Sequence, residues 1–264
     1  MSVILFFERI MIMIYETIYM RSQVLVFLAT YNEVLNIEKI LDLLLILPIK
    51  VDILVVDDNS PDGTSEKIRE IQTKCSQIKL ITRPAKLGLG SAHKFAINYA
   101  LENNFDFLVT MDADLSHNPA DIPRFLQFSN EVDFVIGTRW GANGSCSYIG
   151  VRRLLSKSAN RIAKVALQTS LTEYTSSFRV FNRRALEILN KKKPIDDGYA
   201  FFIETIAILN QNNLQMREIG IDFQDREQGK SKIPKYQVFV SSKVIIKYLI
   251  SLRINIPRLL NQGK

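Results

Sequence analysis

The chain contains few cysteines and few histidines for its length. Of its 264 residues, Cys75 and Cys146 are the two cysteines, and His93 and His117 are the two histidines. Neither cysteine has a partner at metal-ligand spacing, so we expect free thiols in a reducing compartment rather than a disulfide framework or a zinc site. Neither histidine has a nucleophile beside it in the sequence, and we therefore assign no catalytic histidine.

The sequence also lacks long apolar runs. Because no stretch of 18 apolar residues occurs, we predict no transmembrane helix. Helix-turn-helix, RNP and zinc-finger signatures are missing too, so we do not expect a nucleic-acid partner. Residues 1–21 are treated as an N-terminal extension, because they lack a basic n-region and a cleavage site typical of a secretory signal. Two interpretations stay open: a short interfacial helix, or an upstream start codon with Met20 as the alternative start.

Acidic residues end at Glu227, although the chain as a whole carries 34 basic and 27 acidic residues and a net charge of +7. The basic residues beyond that point are Lys230, Lys232, Lys235, Lys243, Lys247, Arg253, Arg258 and Lys264. A basic and otherwise apolar segment favours anionic partners such as phosphates or a lipid headgroup surface. We predict a basic amphipathic helix and tail over residues 235–264, lying either on a membrane or against the domain.

Apolar runs and helical periodicities alternate along the chain. Short apolar runs at 24–29, 53–56, 79–82, 107–111 and 134–137 indicate strands. Helical patterns lie between them at 36–47, 66–74, 91–102 and 119–128, and then at 153–167, 184–190 and 199–212 before a strand at 218–223. This order predicts an α/β fold over residues 22–234, with a mostly parallel sheet flanked by helices. In such sheets, ligands bind beyond the carboxyl ends of the strands.

The most informative residues follow the strand at 107–111. Asp112 and Asp114 are separated by one small residue, and the alternation of side chains along a strand would place both carboxylates on the same side. Two carboxylates there suit Mg²⁺ or Mn²⁺, which in turn binds a diphosphate. An Asp-x-Asp pair alone is weak evidence, because many such pairs are solvated turn residues. Polar clusters at the ends of other predicted strands strengthen it.

Two such clusters follow the first two strands. Tyr31 offers an aromatic face, and Asp58 can accept hydrogen bonds from a ribose or a base. Turn chemistry explains the neighbouring Asn, Ser, Pro and Gly residues, but it does not explain the pair Asp57 and Asp58 directly after a buried strand. The segment Lys86–Ser91 is a weaker phosphate motif, for which a tight turn before a helix is an equally good interpretation.

Taken together, these segments resemble the dolichol-phosphate and polyprenol-monophosphate mannosyltransferases, which are inverting family 2 glycosyltransferases of GT-A fold. The similarity extends from about residue 23 to residue 252. The matching segments are Ala29–Glu33, Val55–Thr64, Lys86–Gly90, Met111–His117, Gly137–Arg139, Ser176–Arg179, Gly198–Phe201 and Asp225–Lys232. The last two narrow the resemblance to the polyprenyl-phosphate branch.

The resemblance implies roles for individual residues. The nucleoside would be held by Ala29, Tyr31, Glu33, Val56 and Asp58. The diphosphate would face Asp112, Ala113 and Asp114, with Asp112 and Asp114 on a divalent metal, Mg²⁺ or Mn²⁺, and Ser116 where some members use glutamine to complete the metal shell. Phosphates would be gathered by Arg139, Arg153, Arg226 and Lys232. The residues expected to act in catalysis are Asp114, Arg139, Arg226 and Lys232.

The activity that the resemblance implies is transfer of mannose from GDP-mannose to a polyprenyl monophosphate, with inversion at the anomeric carbon. The alternative is another donor, such as UDP-glucose, or a glycan acceptor. The lipid acceptor predicts a protein peripheral to the cytoplasmic face of a membrane, and a separate membrane-anchor protein remains open as a partner. Glu173, Tyr174 and Ser176 depart from the residues usual in relatives, on the acceptor side.

Overall fold

The computed structural model describes residues 22–141 and 143–225, in which a seven-stranded sheet is covered by helices on both faces. The strands are β1 (Val24–Thr30), β2 (Asp52–Asp57), β3 (Ile78–Thr82), β4 (Phe107–Asp112), β5 (Phe134–Thr138), β6 (Ser145–Cys146), β7 (Arg179–Asn182), β8 (Met216–Gly220) and β9 (Asp222–Phe223). The helices are α1 (Ile37–Leu45), α2 (Thr64–Gln72), α3 (Leu89–Glu102), α4 (Ile122–Ser129), α5 (Gly150–Leu167), α6 (Arg183–Lys192) and α7 (Phe201–Gln211). A short 3₁₀ turn, Pro119–Asp121, precedes α4.

The strand order of the main sheet is β3-β2-β1-β4-β7-β5-β8. Strands β1 to β4 pair in parallel, as do β5 and β8, whereas β7 is antiparallel to both of its neighbours. Nearly every residue of β1, β2, β4 and β5 is buried. Continuous burial of this kind is expected where helices cover both faces of a sheet, because neither face of a strand then meets water.

The helices divide between the two faces according to their apolar stripes. Helix α1 buries Ile37, Ile40, Leu41 and Leu44, the i, i+3, i+4 spacing of one helical face, and packs in a layer with α2 and α4. The opposite layer contains α3, α5, α6 and α7. Helix α7 is buried almost all round, which places it at the centre of that layer.

The predicted α/β fold is confirmed, and two details of the prediction were wrong. The predicted strand at 218–223 is two strands: β8 pairs with β5, and β9 pairs with β6 in a separate two-stranded sheet. Strands β6 and β7 were not predicted, because two and four residues are too short to show a period of two. The N-terminal extension, residues 1–21, and the predicted C-terminal helix and tail, residues 235–264, lie outside the described residues. Within the described part, no helix combines the length and the apolar character needed to cross a membrane.

Candidate active site

The parallel register brings the carboxyl ends of three strands to one edge of the sheet. Ala29 of β1 lies level with Val56 of β2 and with Asp112 of β4. Beyond these ends opens a cavity of about 360 Å³. Its lining residues are Ala29, Thr30, Tyr31, Glu33, Asp58, Lys86, Leu87, Gly88, Leu89, Ala92, Asp112, Ala113, Asp114, Asp197, Gly198 and Tyr199. We refer to it as the donor cavity.

Seven residues selected from the sequence line this cavity. They are Ala29, Tyr31, Glu33, Asp58, Asp112, Ala113 and Asp114. Val56 does not line it, because its side chain is fully buried in the apolar layer between the sheet and α3. Ser116 does not line it either: it is 3% exposed and faces a second cavity that also contains His117 and Arg124. A hydroxyl of Ser116 in the metal shell therefore remains a prediction.

Asp58 and Arg83 form the charged pair at one part of the donor cavity. The Asp58 carboxylate accepts hydrogen bonds from the Arg83 Nε, with which it also forms an ion pair, and from the Gly88 backbone N–H at 3.4 Å. Arg83 in turn donates to the Ser91 hydroxyl at 2.8 Å and to the Gly88 carbonyl at 3.0 Å. Burial raises the pKa of Asp58, and this effect exceeds the opposing one of Arg83. The pair fixes the turn that opens α3 relative to the end of β2.

Asp57, the neighbour of Asp58, has a structural role. It is fully buried, and its carboxylate accepts hydrogen bonds from the hydroxyls of Thr30, Ser60 and Ser65 at 2.5–2.8 Å. The backbone N–H of Ser60 also donates to it, at 2.9 Å. These bonds hold the turn after β2 against the end of β1. The two neighbouring aspartates therefore have different roles: Asp57 stabilises the turn, whereas Asp58 lines the cavity.

Asp112 and Asp114 reach the donor cavity by a turn rather than by strand alternation. Strand β4 ends at Asp112, and the chain then turns through Leu115, which has a positive φ of 65°. The Ser116 backbone N–H donates to Asp114 Oδ1 at 3.1 Å, and the Asp112 backbone N–H donates to His117 Nδ1 at 3.2 Å. Asp114 is 4% exposed, whereas 38% of the Asp112 side chain is exposed. The Asp114 carboxylate is thus buried and held in place, whereas the Asp112 carboxylate is partly exposed at the mouth of the cavity.

Both histidines are buried. His93 packs against the rings of Phe27, Phe201 and Phe202 at centroid distances of 4.9–5.1 Å, and burial lowers its pKa to about 3. Burial also lowers the pKa of His117, more than the nearby aspartates raise it. Both rings are consequently neutral at pH 7. His117 supports the turn at Asp112 as a hydrogen-bond acceptor.

Arg139 lies outside the donor cavity, in a buried ion pair with Glu173. Its Nε and Nη2 donate to the two Glu173 oxygens at 2.8 and 2.9 Å, and Nη2 also reaches the Thr175 hydroxyl at 2.8 Å. Burial alone would raise the pKa of Glu173, but Arg139 and Thr175 together hold it below its usual value. The positive charge of Arg139 is therefore largely offset within the fold. Among the described residues its Nη1 makes no hydrogen bond.

The residues around the start of α5 provide further basic groups. Arg152 stacks on the Tyr148 ring, 3.6 Å from its centroid, and donates to both carboxylate oxygens of Asp225 at 3.2 Å. Arg153 is exposed on the same helix turn. Neither Arg139 nor Arg153 lines the donor cavity. Arg226 and Lys232 lie outside the described residues.

Several site residues were missed in the sequence. Arg83 directly follows β3 and could have been found as a charged residue at a strand end, next to the ends of β1 and β2. Asp197, Gly198 and Tyr199 enter the donor cavity from a loop without regular structure, between α6 and α7. Gly198 and Tyr199 belong to a segment that matched the resembled family, but nothing in the pattern showed where that loop folds.

The mostly parallel sheet covered on both faces, with an acidic cavity at the carboxyl ends of its strands, has the architecture of the GT-A fold. Residues 25–189 match the family described as glycosyl transferase family 2, and the chain belongs to that family.

Two relatives and two solved structures are informative. The chain is 31% identical over 212 residues to an undecaprenyl-phosphate mannosyltransferase of Micrococcus luteus, covering 80% of this chain and 87% of the relative. It is 33% identical over 215 residues to a polyprenol monophosphomannose synthase of Mycolicibacterium smegmatis, covering 80% and 81%. The fold resembles glucosyl-3-phosphoglycerate synthase of Mycobacterium tuberculosis in complex with Mn²⁺, UDP and phosphoglyceric acid, with a TM-score of 0.65, 19% identity, and coverage of 90% and 80%. It also resembles a mannosyltransferase of Pyrobaculum calidifontis in complex with GDP-Man and Mn²⁺, with a TM-score of 0.57, 15% identity, and coverage of 92% and 76%.

Proposed function

We propose that this protein transfers mannose from GDP-mannose to a polyprenyl monophosphate, with inversion at the anomeric carbon. The observation that carries the proposal is that seven residues singled out in the sequence line one cavity. Two relatives of the chain are named for polyprenyl-phosphate mannosyl transfer, which supports the same activity here. Coverage of at least 80% of both relatives supports applying their activity to the whole described fold.

The donor cavity suits a nucleoside diphosphate sugar. Asp58 and Glu33 provide carboxylate oxygens that can accept hydrogen bonds from ribose hydroxyls and base N–H groups. The Tyr31 ring provides an apolar face, with the Lys86 ammonium 4.0 Å from its centroid. Lys86 is placed to attract the anionic donor to the mouth of the cavity.

Asp112 and Asp114 fit a divalent cation shared with the donor. The described residues contain no group of three or more His, Cys, Asp or Glu side chains able to hold a metal alone. Two carboxylates that line one cavity suit Mg²⁺ or Mn²⁺, which often keep waters and take the remaining ligands from a substrate. When bound, the cation would neutralise charge on the departing diphosphate. Asp114 would be the fixed ligand, since it is buried and held by the Ser116 N–H.

The acceptor chemistry requires no histidine base. A phosphate monoester has a second pKa of about 6, so it is mostly dianionic at pH 7 and is already a nucleophile. The protein then has to bring two anions together and offset their repulsion. The Arg139 Nη1 offers a directed hydrogen bond for this purpose, and Arg153, Arg226 and Lys232 would add charge. Attack from the face opposite the diphosphate gives inversion.

Helix α5 supports a membrane location for this reaction. Its exposed apolar side chains, 52–83% accessible, are Ile149, at its N-cap, Val151, Leu154, Leu155, Ile162 and Val165. Basic residues lie between them at Arg153, Lys157, Arg161 and Lys164. A helix of this composition suits the headgroup region of an anionic bilayer, where a polyprenyl phosphate resides. We propose that α5 lies on that surface, together with any contribution from residues 235–264 or from a separate anchor protein.

Vesicle co-sedimentation tests this location. Leu154→Glu with Leu155→Glu should weaken binding to vesicles containing anionic lipid by at least about tenfold, because burying each leucine contributes roughly 1.5–3 kcal/mol. Ile46→Glu, at the residue that follows α1 in the opposite layer and 76% exposed, is the matched control and should bind normally. Unchanged binding by the double variant would show that the membrane contact lies elsewhere, for instance in the C-terminal tail.

The reaction is tested with labelled GDP-mannose and, in parallel, labelled UDP-glucose, each with a polyprenyl phosphate in detergent and Mg²⁺ or Mn²⁺. We expect lipid-linked label from GDP-mannose only, and loss of transfer with EDTA. Asp114→Asn should lower kcat by about 10²–10³-fold, the usual cost of removing a fixed electrostatic stabiliser. Asp42→Asn, exposed on α1, is the control. Transfer from UDP-glucose alone would overturn the donor assignment, and an active Asp114→Asn variant would overturn the role of that carboxylate.

A further inference from the structure

One wall of the donor cavity is a segment without regular secondary structure. Residues 195–199 run between α6 and α7, and Asp197, Gly198 and Tyr199 line the cavity. We call this segment the cavity wall. A loop that forms part of a binding site must be held by other contacts, because no helix or strand hydrogen bonds fix it.

Glu204 provides one of these contacts from inside the fold. It lies in α7, whose residues are buried from Phe201 to Leu209, and it is only 6% exposed. Its Oε2 accepts hydrogen bonds from the backbone N–H groups of Ile195 at 2.7 Å and Asp196 at 2.9 Å. A carboxylate is costly to bury, and hydrogen bonds to backbone N–H groups offset that cost. Both bonds go to the first residues of the cavity wall.

Asp196 then shapes the rest of the wall. Its Oδ1 accepts hydrogen bonds from the backbone N–H groups of Gly198 at 2.7 Å and Ala200 at 3.1 Å. The segment thus turns sharply between its attachment to Glu204 and the start of α7. This turn directs Asp197 to Tyr199 toward the cavity.

The other side of the wall rests on the turn that opens α3. Gly88 has a φ of +98°, and a Cβ there would clash with the Asp197 carbonyl oxygen. A Cβ on Gly90 would meet the carbonyl oxygens of Asp196 at 2.7 Å and Gly198 at 2.8 Å. The Ser91 N–H donates to the Asp197 carbonyl at 3.2 Å. Because Gly88 also donates to Asp58, the wall is fixed relative to the proposed nucleoside-binding carboxylate.

We propose that Glu204 is a positioning residue: its hydrogen bonds hold the cavity wall against the Gly88–Gly90 turn and thereby determine the affinity for the nucleotide sugar. This inference rests on the proposed function only for the identity of the ligand, a nucleoside diphosphate sugar. Glu204 does not line the cavity itself. Its effect should therefore appear in binding of the donor more than in the chemical step.

The test compares Glu204→Met with Glu204→Gln. Methionine fills the apolar surroundings of α7 and accepts no comparable hydrogen bond, whereas glutamine can place its carbonyl oxygen where Oε2 accepts both N–H groups. For Glu204→Met we expect a rise of about tenfold or more in the Kd for GDP and in the KM for the donor, with a smaller change in kcat. Glu204→Gln should restore values close to those of the wild type.

Hydrogen exchange provides a readout of the wall that does not depend on activity. In Glu204→Met the amides of Ile195 and Asp196 should exchange much faster, because they have lost their acceptor. Glu187→Met is the matched control, since Glu187 is an exposed glutamate on the neighbouring helix α6. It should change neither amide exchange at the wall nor GDP binding.

Gly90→Ala tests the same wall from the opposite side and remains decisive if Glu204→Met does not fold. Its Cβ meets backbone atoms, which cannot move aside as a flexible side chain can, so the wall must shift. We expect weaker GDP binding, and a double variant with Glu204→Met that is little worse than either single variant, because both displace one element.

Two results would overturn the proposal. One is a folded Glu204→Met or Gly90→Ala variant that binds GDP within twofold of the wild type. The other is faster exchange at Ile195 and Asp196 without any loss of GDP affinity, which would limit Glu204 to holding the loop. If the wild type binds GDP but transfers no mannose, the proposed reaction fails, while a raised Kd in Glu204→Met still supports the positioning role.

Discussion

Replacing Glu173 by glutamine should destabilise the protein strongly, because it leaves the buried Arg139 guanidinium without a counter-charge. Glu173 is fully buried and Arg139 is 8% exposed. The carboxylate accepts two hydrogen bonds from Arg139, two from Thr175 and one from the Tyr174 N–H. Removing one partner of such a buried pair typically costs about 3–5 kcal/mol, since the remaining charge stays buried.

Urea denaturation at pH 7 measures this cost. For a domain of this size we take a denaturant slope of about 2.5 kcal/mol per M, so the unfolding midpoint should fall by about 1–2 M. The pKa of Glu173 lies below its usual value of 4.5, so the stabilisation is complete above that value and is lost only as the pH falls through the lowered pKa. Measurement at pH 7 therefore captures all of it.

A matched control is Glu187→Gln, which alters the exposed ion pair with Arg183, 3.3 Å long, and should cost less than about 1 kcal/mol. The double variant Arg139→Met, Glu173→Gln should be more stable than the sum of the single effects predicts, because it removes both charges. A midpoint for Glu173→Gln within about 0.4 M of the wild type would refute the reasoning. It would mean that solvent or another group compensates the Arg139 charge.

Three further outcomes are expected. The folded pKa of His93 is about 3, below the usual 6.5, so as the pH falls the unfolded chain binds a proton that the folded protein does not. The free energy of unfolding should therefore fall by about 2 kcal/mol between pH 7 and pH 5 through this group. His93→Phe should flatten this pH dependence in urea titrations. Arg179→Met should cost about 2–6 kcal/mol of unfolding free energy, since two buried carbonyls lose their donor; a cost below 1 kcal/mol would contradict this. Arg226→Ala with Lys232→Ala should raise the KM for the polyprenyl phosphate at least tenfold while leaving the Kd for GDP unchanged, and an equal loss of GDP affinity would reassign these residues to the donor.

The donor half of the site could be predicted from the sequence because its residues directly follow parallel strands. Ala29, Asp58 and Asp112 each stand at or just past a strand end, and parallel pairing alone places such ends along one edge. Their separation along the chain, up to 83 residues, is therefore no obstacle. The pattern could not show that neighbours such as Asp57 and Asp58 have different roles. Both lie at the end of the same strand, and only the direction of the side chain decides that Asp57 stabilises the turn and Asp58 lines the cavity.

The remaining parts of the site depend on contacts that no local pattern contains. Strand β7 is four residues long and enters the sheet antiparallel between β4 and β5, and it carries the loop with Glu173 to Arg139. The cavity wall reaches Gly88 and Gly90 across about 100 residues of sequence. In both cases the partner is chosen by tertiary packing, so the sequence showed the residue types and not their pairing.

This difference between the two halves has a consequence for the electrostatics of the proposed reaction. In the proposed reaction, the carboxylates of Asp112 and Asp114, which line the donor cavity, would bind a cation that the donor diphosphate shares. On the proposed acceptor side, Glu173 offsets the charge of Arg139 and Asp225 offsets the charge of Arg152. Of the three arginines described there, Arg153 is the one without an ion pair among the described residues. A dianionic acceptor brought close to an anionic donor needs more positive charge than one guanidinium supplies. The segment Arg226–Lys232 follows Asp225 directly and is the part of the chain placed by sequence to provide it. In the proposed reaction Arg139, whose charge is offset by Glu173, would act as a directional hydrogen-bond donor. The net positive charge toward the lipid phosphate would come from Arg226 and Lys232.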